Sequence, residues 1–429
     1  MKRDHKPIKD IIILSAGNLN VGDHAILCSW LHFYRKLFGA HARITILGAE
    51  ASYIAEQTCD LPCKVLVSNI LHRYVWEHYE EKNHARVQNA VADLVETDRM
   101  ILDRFDYAVS SLHQFFVRTD VVHIVGGGII NNKWKDVHYI IKAAVDLAKK
   151  YNKKVFMTGQ TIGPLDELDQ IRLRPVFEKV DLVDLRDCCC EKYLQTCGCP
   201  VNRSMDDVLL DLLPAKAIQK EDDLAPYIER PHINLCIQEW ALDTENEKLY
   251  ANAKKEIADF ICWYCTNHPQ VHVNVVEFMP LDHDLRCGRE VVDLMDGKIR
   301  NRCHYLCMAN IRFLWGGALA VIQSAVLNIG TRYHLALFSM KKKIPTVSIV
   351  LDTYYEVKLR GIHDLFGSTG CLSFGQCTCS YLKQWMTAGH FYGIGTDLQR
   401  LKKAKLDQVM KMIGLERDWF WMRRVMDRI

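Results

Sequence analysis

Two α/β domains of Rossmann-like strand–helix rhythm, facing across a cleft, are what this sequence of 429 residues predicts. Three observations lead there. Short continuous apolar runs that end in glycine alternate with amphipathic helical stretches, the pattern of parallel strands buried on both faces. The rhythm runs twice, interrupted at 213–231, where Pro214, Pro226 and Pro231 stand among charged residues. The length is ample for two cores and long for one. The expected division is an N-terminal domain over 1–213 with a helical insertion at about 71–120, a linker over 214–231, and a C-terminal domain over 232–429 that includes the closing helices.

Composition narrows the class of protein. Hydrophobic residues make up 49% and charged residues 25%, ordinary for a globular chain. A net charge of +3 is too small to point to nucleic acid as a partner. No apolar run approaches a membrane span, and the opening run at 11–14 is too short for a signal peptide, so it reads as a buried strand in a cytoplasmic protein. Seventeen cysteines without a leader point to a reducing compartment and free thiols. The spacing of Cys59 and Cys63, the consecutive Cys188, Cys189 and Cys190, and eighteen scattered histidines predict no metal site.

Taken in order, strand 11–15 runs through Gly17, Asn18 and Gly22 into a helix over 24–38. Ligands of α/β proteins sit at such strand ends. Asp23 either caps this helix or positions a ligand hydroxyl. Strands follow at 44–47 and 65–67. The stretch 71–120 is polar and helical, with aromatics from Tyr74 to Phe116, and breaks the rhythm. Strand 121–125 then ends in Gly126, Gly127 and Gly128, where backbone can approach a ligand closely or the next element can pack tightly. A helix over 138–151 buries Ile140, Ala143, Ala144, Leu147 and Ala148 on one face. Strand 155–157, a turn from Gly159 to Pro164, a helix near 170–179 and strand 182–185 complete the half. Arg186 and Asp187 close that strand, most simply as an ion pair.

The second half repeats the scheme: strand 233–237, helix 246–265, strand 271–277, a helix near 284–298 and another at 317–323. The segment 326–350 is the clearest unit of the chain. An apolar strand stops at Gly330, a helical pattern follows from Tyr333, and Pro345 leads into a β-branched second strand. Thr331 is the expected N-cap, which would turn the helix N-terminus towards whatever Arg332 and His334 reach. A guanidinium, an imidazole and free backbone N–H groups suit a small phosphate- or carboxylate-bearing anion. The alternative is that Arg332 pairs with a structural Asp and His334 is a satisfied buried histidine. Two amphipathic helices, 396–413 and 416–429, end the chain.

The motifs taken together resemble the polysaccharide pyruvyl transferase family over nearly the whole chain. They are Gly17-Asn18, the run Gly22-Asp23-His24-Ala25-Ile26, Gly126 to Gly128, Gly159-Gln160-Thr161-Ile162-Gly163-Pro164, Arg186-Asp187, Asp206-Asp207, the acid-bearing EFMPLD at 277–282, Gly330-Thr331-Arg332-Tyr333-His334 and Lys358. Cys190 stands where a serine is usual in that family, and no proline follows the Asp206-Asp207 turn.

The resemblance implies a GT-B-like fold and a transferase that moves the pyruvyl group of phosphoenolpyruvate onto two hydroxyls of a sugar. The product is a cyclic ketal, and phosphate is released. It implies no cofactor. His334, Arg332 and Asp23 are the expected catalytic groups. Arg186, Lys358, Thr331, Gly126, Gly127 and Gly128 are expected at the donor, and Asn18 and His24 at the acceptor. The acceptor would be a polysaccharide or a lipid-linked oligosaccharide. The latter would bring the enzyme to the inner membrane face, with which the basic tail at Arg423, Arg424 and Arg428 is compatible. Two other readings are a nucleotide-sugar glycosyltransferase on the same fold and a non-catalytic anion- or glycan-binding protein.

Overall fold

A computed structural model describes residues 10–15, 20–39, 42–50, 54, 64–80, 82–96, 104–195, 197–212, 224–239, 242, 244–279, 283–307, 314–389 and 398–415. The chain folds into two compact units. One comprises Met1–Asn18, Ala25–Leu213 and Gln399–Ile429; the other comprises Leu19–His24 and Pro214–Leu398.

The first unit is built on strands β1 (Asp10–Ser15), β2 (Arg43–Gly48), β3 (Lys64–Ser68), β4 (Val121–Ile124), β5 (Gly127–Ile130), β6 (Lys154–Ile162), β7 (Leu182–Leu185) and β8 (Val201–Arg203). They form one sheet in the order β3-β2-β1-β4-β6-β7-β8, with β5 beside β6, and every pairing is parallel. Parallel neighbours need long crossovers. The order explains the expected insertion: from the edge strand β3 the chain must pass β2 and β1 to reach β4. It does so through helices Ile70–His78, His84–Glu96 and Arg104–Arg118, the first two of which pack on helix Lys135–Lys150.

In this unit β5 and β8 are strands that the sequence did not mark, and β6 departs from its expected end. The sequence predicts that β6 stops before a turn at Gly159, yet the strand continues to Ile162. Gly159 takes φ +56° and the register shifts between Met157 and Gln160, so the chain bulges rather than turns. Beyond the bulge Gln160 and Ile162 still have a neighbour on β5. The glycine triplet opens that extra strand, with Gly127 at φ +155°.

The second unit holds β9 (His232–Cys236), β10 (His272–Glu277), β11 (Cys303–Cys307), β12 (Leu327–Gly330), β13 (Thr346–Ile349) and β14 (Cys371–Leu372), all parallel, in the order β11-β10-β9-β12-β13-β14. The helix expected near 284–298 is two pieces, Asp284–Asp293 and Gly297–Arg300, because the Asp296 side chain caps a new start at Lys298 N–H. A helix Thr353–Phe366 follows β13, capped by Asp352, whose carboxylate accepts from Tyr355 N–H.

Chain order assigns the helix Leu398–Met412 to the second domain. In the structure it belongs to the first unit from Gln399 onward. The cause is a fully buried lysine. Lys405 Nζ lies 2.7 Å from Asp184 and 2.5 Å from Asp207, and donates to the Met205 carbonyl. Most of the expected linker, the expected helix 416–429 and Asn18 lie outside the described residues. Among the described residues, no helix is long and apolar enough to cross a membrane.

Candidate active site

In the second unit the carboxyl ends of β9, β10 and β12 lie along one edge, since all three run parallel. β12 ends at Gly330, whose register partner on β9 is Cys236. A Cβ at Gly330 would come within 2.3 Å of the Cys236 carbonyl oxygen, so close strand approach requires glycine there. Thr331 is buried and tied to the β9 end: its N–H donates to Cys236 O, and its hydroxyl accepts from Gln238 N–H. That bond takes Thr331 away from the expected capping role. The N-cap of helix Tyr333–Lys341 is Arg332, in extended conformation with no capping side-chain bond.

Arg332 is 6% exposed and grips Asp284 with two bonds, Nη2 to Oδ1 at 2.5 Å and Nε to Oδ2 at 3.2 Å. Asp284 Oδ2 also accepts from Phe278 N–H and Met279 N–H. The structure therefore supplies the structural aspartate that the sequence offered as the alternative partner of Arg332. Burial pushes the Asp284 carboxyl up, against the pull of Arg332 and the two amides. The guanidinium is thus locked in orientation by a carboxylate that two backbone amides hold in turn.

His334, the second residue of the helix, is buried with its ring edge-on to Tyr333 at 5.0 Å and tilted over Phe338 at 5.8 Å. Gly22, in the short N-terminal segment that belongs to this unit, lies against the imidazole: a Cβ there would be 1.7 Å from Nδ1. Asn20 caps the helix Val21–Phe38, its Oδ1 accepting from Gly22 N–H and Asp23 N–H. Asp23 therefore does not cap; it is a half-buried residue of the first turn. His24 is 2% exposed, and burial lowers its pKa to about 4. Lys358 is buried on helix Thr353–Phe366, its Nζ donating to Tyr354 OH at 2.9 Å and lying 4.0 and 4.2 Å from the Tyr354 and Tyr355 ring centres.

The other expected donor residues are in the first unit, within a buried polar network. Arg186 donates to Asp206 Oδ2 at 2.5 Å and Thr161 Oγ1 at 2.7 Å, with Asp187 at 3.5 Å. Its guanidinium serves as an internal tie. Gly126 N–H donates to Asp207, which also accepts from Thr158 Oγ1. Gly128 O accepts from Asn131. The Gly126 amide is thus spent on an internal carboxylate, so an anion cradle there loses that donor. Gly159 is glycine because a Cβ there would lie 2.8 Å from the Asp207 carboxyl.

Asp284, the partner of Arg332, is a residue of this strand-end edge that sequence reasoning did not single out, and Glu277 it named only as part of a motif. A buried arginine requires a carboxylate, and the run 277–282 opens on an acid that ends a buried strand; both signals were present. Also passed over is a cysteine pair, Cys262 and Cys265, with two residues between them on helix Glu247–Asn267. Burial pushes both thiols up, Cys265 to about 11. Among the described residues, no group of three or more His, Cys, Asp or Glu could hold a metal ion.

Comparison with solved structures shows the same fold in UDP-N-acetylglucosamine 2-epimerases. The enzyme from Rickettsia bellii has 12% identity, TM-score 0.54, and 97% of this chain and 100% of that chain covered. The one from Neisseria meningitidis, bound to UDP-GlcNAc, has 13% identity, TM-score 0.53, and 94% and 100% covered. The one from Methanocaldococcus jannaschii has 10% identity, TM-score 0.56, and 94% and 100% covered. The protein is thus a GT-B-like α/β protein of two Rossmann-like domains. A comparison with curated proteins gives no match. Residues 20–353 match the polysaccharide pyruvyl transferase family, and the chain belongs to it.

Proposed function

We propose that this protein transfers the pyruvyl group of phosphoenolpyruvate to two hydroxyls of a sugar, forming a cyclic ketal and releasing phosphate. The observation that carries this reading is the family match over 20–353, which includes the strand–turn–helix unit bearing Arg332 and His334. The donor is a compact polyanion, so the site needs fixed cations and backbone donors. Arg332, held by Asp284, presents a pre-oriented guanidinium at the start of helix Tyr333–Lys341, whose first-turn N–H groups favour anionic ligands. Lys358 adds a charge positioned by two tyrosine rings. His334 protonates C3 of the enol or contacts phosphate, and Asp23 orients an acceptor hydroxyl. We assign the enzyme to the cytoplasm, working on a polysaccharide or lipid-linked precursor at the inner membrane face.

The test is calorimetric titration of the full chain with phosphoenolpyruvate and, separately, with UDP-N-acetylglucosamine. Saturable binding of phosphoenolpyruvate that Lys358→Met weakens tenfold or more supports pyruvyl transfer. Binding of the nucleotide sugar alone would make this a glycosyltransferase. Binding of phosphoenolpyruvate without phosphate release across an acceptor panel would make it a binding protein.

A further inference from the structure

Two of the described carboxylates, Glu277 and Asp284, flank the chain as it leaves β10, and they are treated very differently. Asp284 receives four hydrogen bonds, two from a guanidinium and two from backbone amides. It is a structural anion. Glu277, the last residue of β10, is 6% exposed. Among the described residues it accepts one hydrogen bond, from the thiol of Cys307 at 2.7 Å, its register partner on β11. A thiol is a weak donor. A carboxylate so poorly compensated holds its proton-accepting capacity in reserve.

Resting on the pyruvyl-transfer reading, we propose that Glu277 is the general base that takes the proton of the attacking sugar hydroxyl. The titratable and charged groups around it come from every neighbouring strand end and helix start: Cys307 on β11, Cys236 at the end of β9, Asp284 opening its helix and Arg332 preceding the next. Burial raises the Glu277 carboxyl, the Cys307 bond lowers it, Asp284 raises it and Arg332 lowers it; the net direction is up. Burial also pushes the Cys236 thiol well above its ordinary value, so it stays neutral and does not compete as a base.

The step balances. A sugar oxygen bonds to C2 of phosphoenolpyruvate as its O–H bond breaks and the proton passes to Glu277. The C2–C3 π pair forms a C–H bond at C3 with a proton from His334. The second hydroxyl then displaces phosphate: the C2–O bond to phosphorus breaks with its electrons leaving on phosphate, which takes that hydroxyl's proton. Glu277 and His334 return to their starting states by proton exchange with water.

The experiment is calorimetric titration of phosphoenolpyruvate into wild type, Glu277→Gln and Glu277→Asp between pH 5.5 and 8.5. Phosphate release in the presence of methyl glycosides with free 4,6- and 3,4-diols is measured alongside. An ionised Glu277 facing the donor repels it, so wild-type affinity should fall as pH rises through the raised carboxyl. Glu277→Gln should remove that dependence and bind the donor at least as tightly. Phosphate release should drop about a hundredfold or more in Glu277→Gln, the size of a lost general base, with partial recovery in Glu277→Asp. Cys307→Ala should move the acidic limb to higher pH, a shift that a merely structural role would not produce. Identical pH dependence of binding in wild type and Glu277→Gln would overturn the proposal, whether or not the glycosides are turned over. No binding of phosphoenolpyruvate by wild type would overturn the pyruvyl-transfer reading itself, and the proposal with it.

Discussion

At the scale of single residues, the Arg332–Asp284 pair changes how the obvious experiment should be read. Removing one partner of a buried ion pair leaves the other charge uncompensated, at a cost of about 3–5 kcal/mol. Arg332→Ala is therefore expected to lower the urea midpoint sharply, and lost donor binding in that variant would not distinguish a missing ligand contact from a loosened strand end. Removing both charges while keeping an oxygen for the Phe278 and Met279 amides, Arg332→Met with Asp284→Asn, should be more stable than Arg332→Ala while still abolishing donor binding; a double variant as unstable as the single one would contradict this. Gly22 offers a second test. An added methyl cannot fit against His334 Nδ1 without moving the ring. Gly22→Ala should cost about 1–3 kcal/mol in equilibrium denaturation, as overpacking does. It should also depress phosphate release; a fully active, equally stable variant would mean that the contact is slack.

At the scale of elements, one lysine determines where the helix Leu398–Met412 packs. Lys405 is fully buried between Asp184 and Asp207. Burial alone would lower its pKa, but the two carboxylates outweigh that and raise it. A raised lysine contributes stability that is complete below the ordinary value, near 10.4, and is lost as pH climbs through the raised one. Lys405→Met should therefore be about 3–5 kcal/mol less stable than wild type at pH 8, with the gap narrowing in strongly alkaline buffer. Denaturant midpoints of both proteins across that range check the sign. A gap that stays constant would show that Lys405 acts through packing and not through charge.

At the scale of the whole molecule, acid sensitivity is written into buried imidazoles of both units. Burial lowers His24, His32, His72 and His138 to about 4 and His363 to about 3. A histidine lowered in the folded state favours folding above the ordinary value, near 6.5, and that contribution is lost as pH falls towards the folded value. The buried acids Asp169, Asp207, Glu277 and Asp284 are raised and act in the opposite sense. Single replacement separates the two. His72 is buried, edge-on to Trp76 at 5.8 Å. His72→Phe keeps a ring there and removes the proton site, so its urea midpoint should fall less than that of wild type between pH 7 and 5. Equal slopes would place the acid response elsewhere.

What depends on neighbours along the chain could be read from the residues alone. Apolar runs ending in glycine marked β1, β4 and β12, a 3.6-residue stripe marked helix Lys135–Lys150, and the strand–turn–helix of Arg332 and His334 stood where the pattern put it. These features are local, because backbone geometry and one-sided burial recur every few residues. Tertiary structure decided everything that depends on which distant segments meet. Whether Arg332 is open or paired rests on Asp284, and the packing of the last helix rests on Asp184 and Asp207. Whether β6 turns or continues at Gly159 rests on the neighbouring strands β5 and β7. A charge in a sequence announces that it needs a partner; only the fold names it, because desolvation makes a counter-charge obligatory without saying where along the chain it comes from.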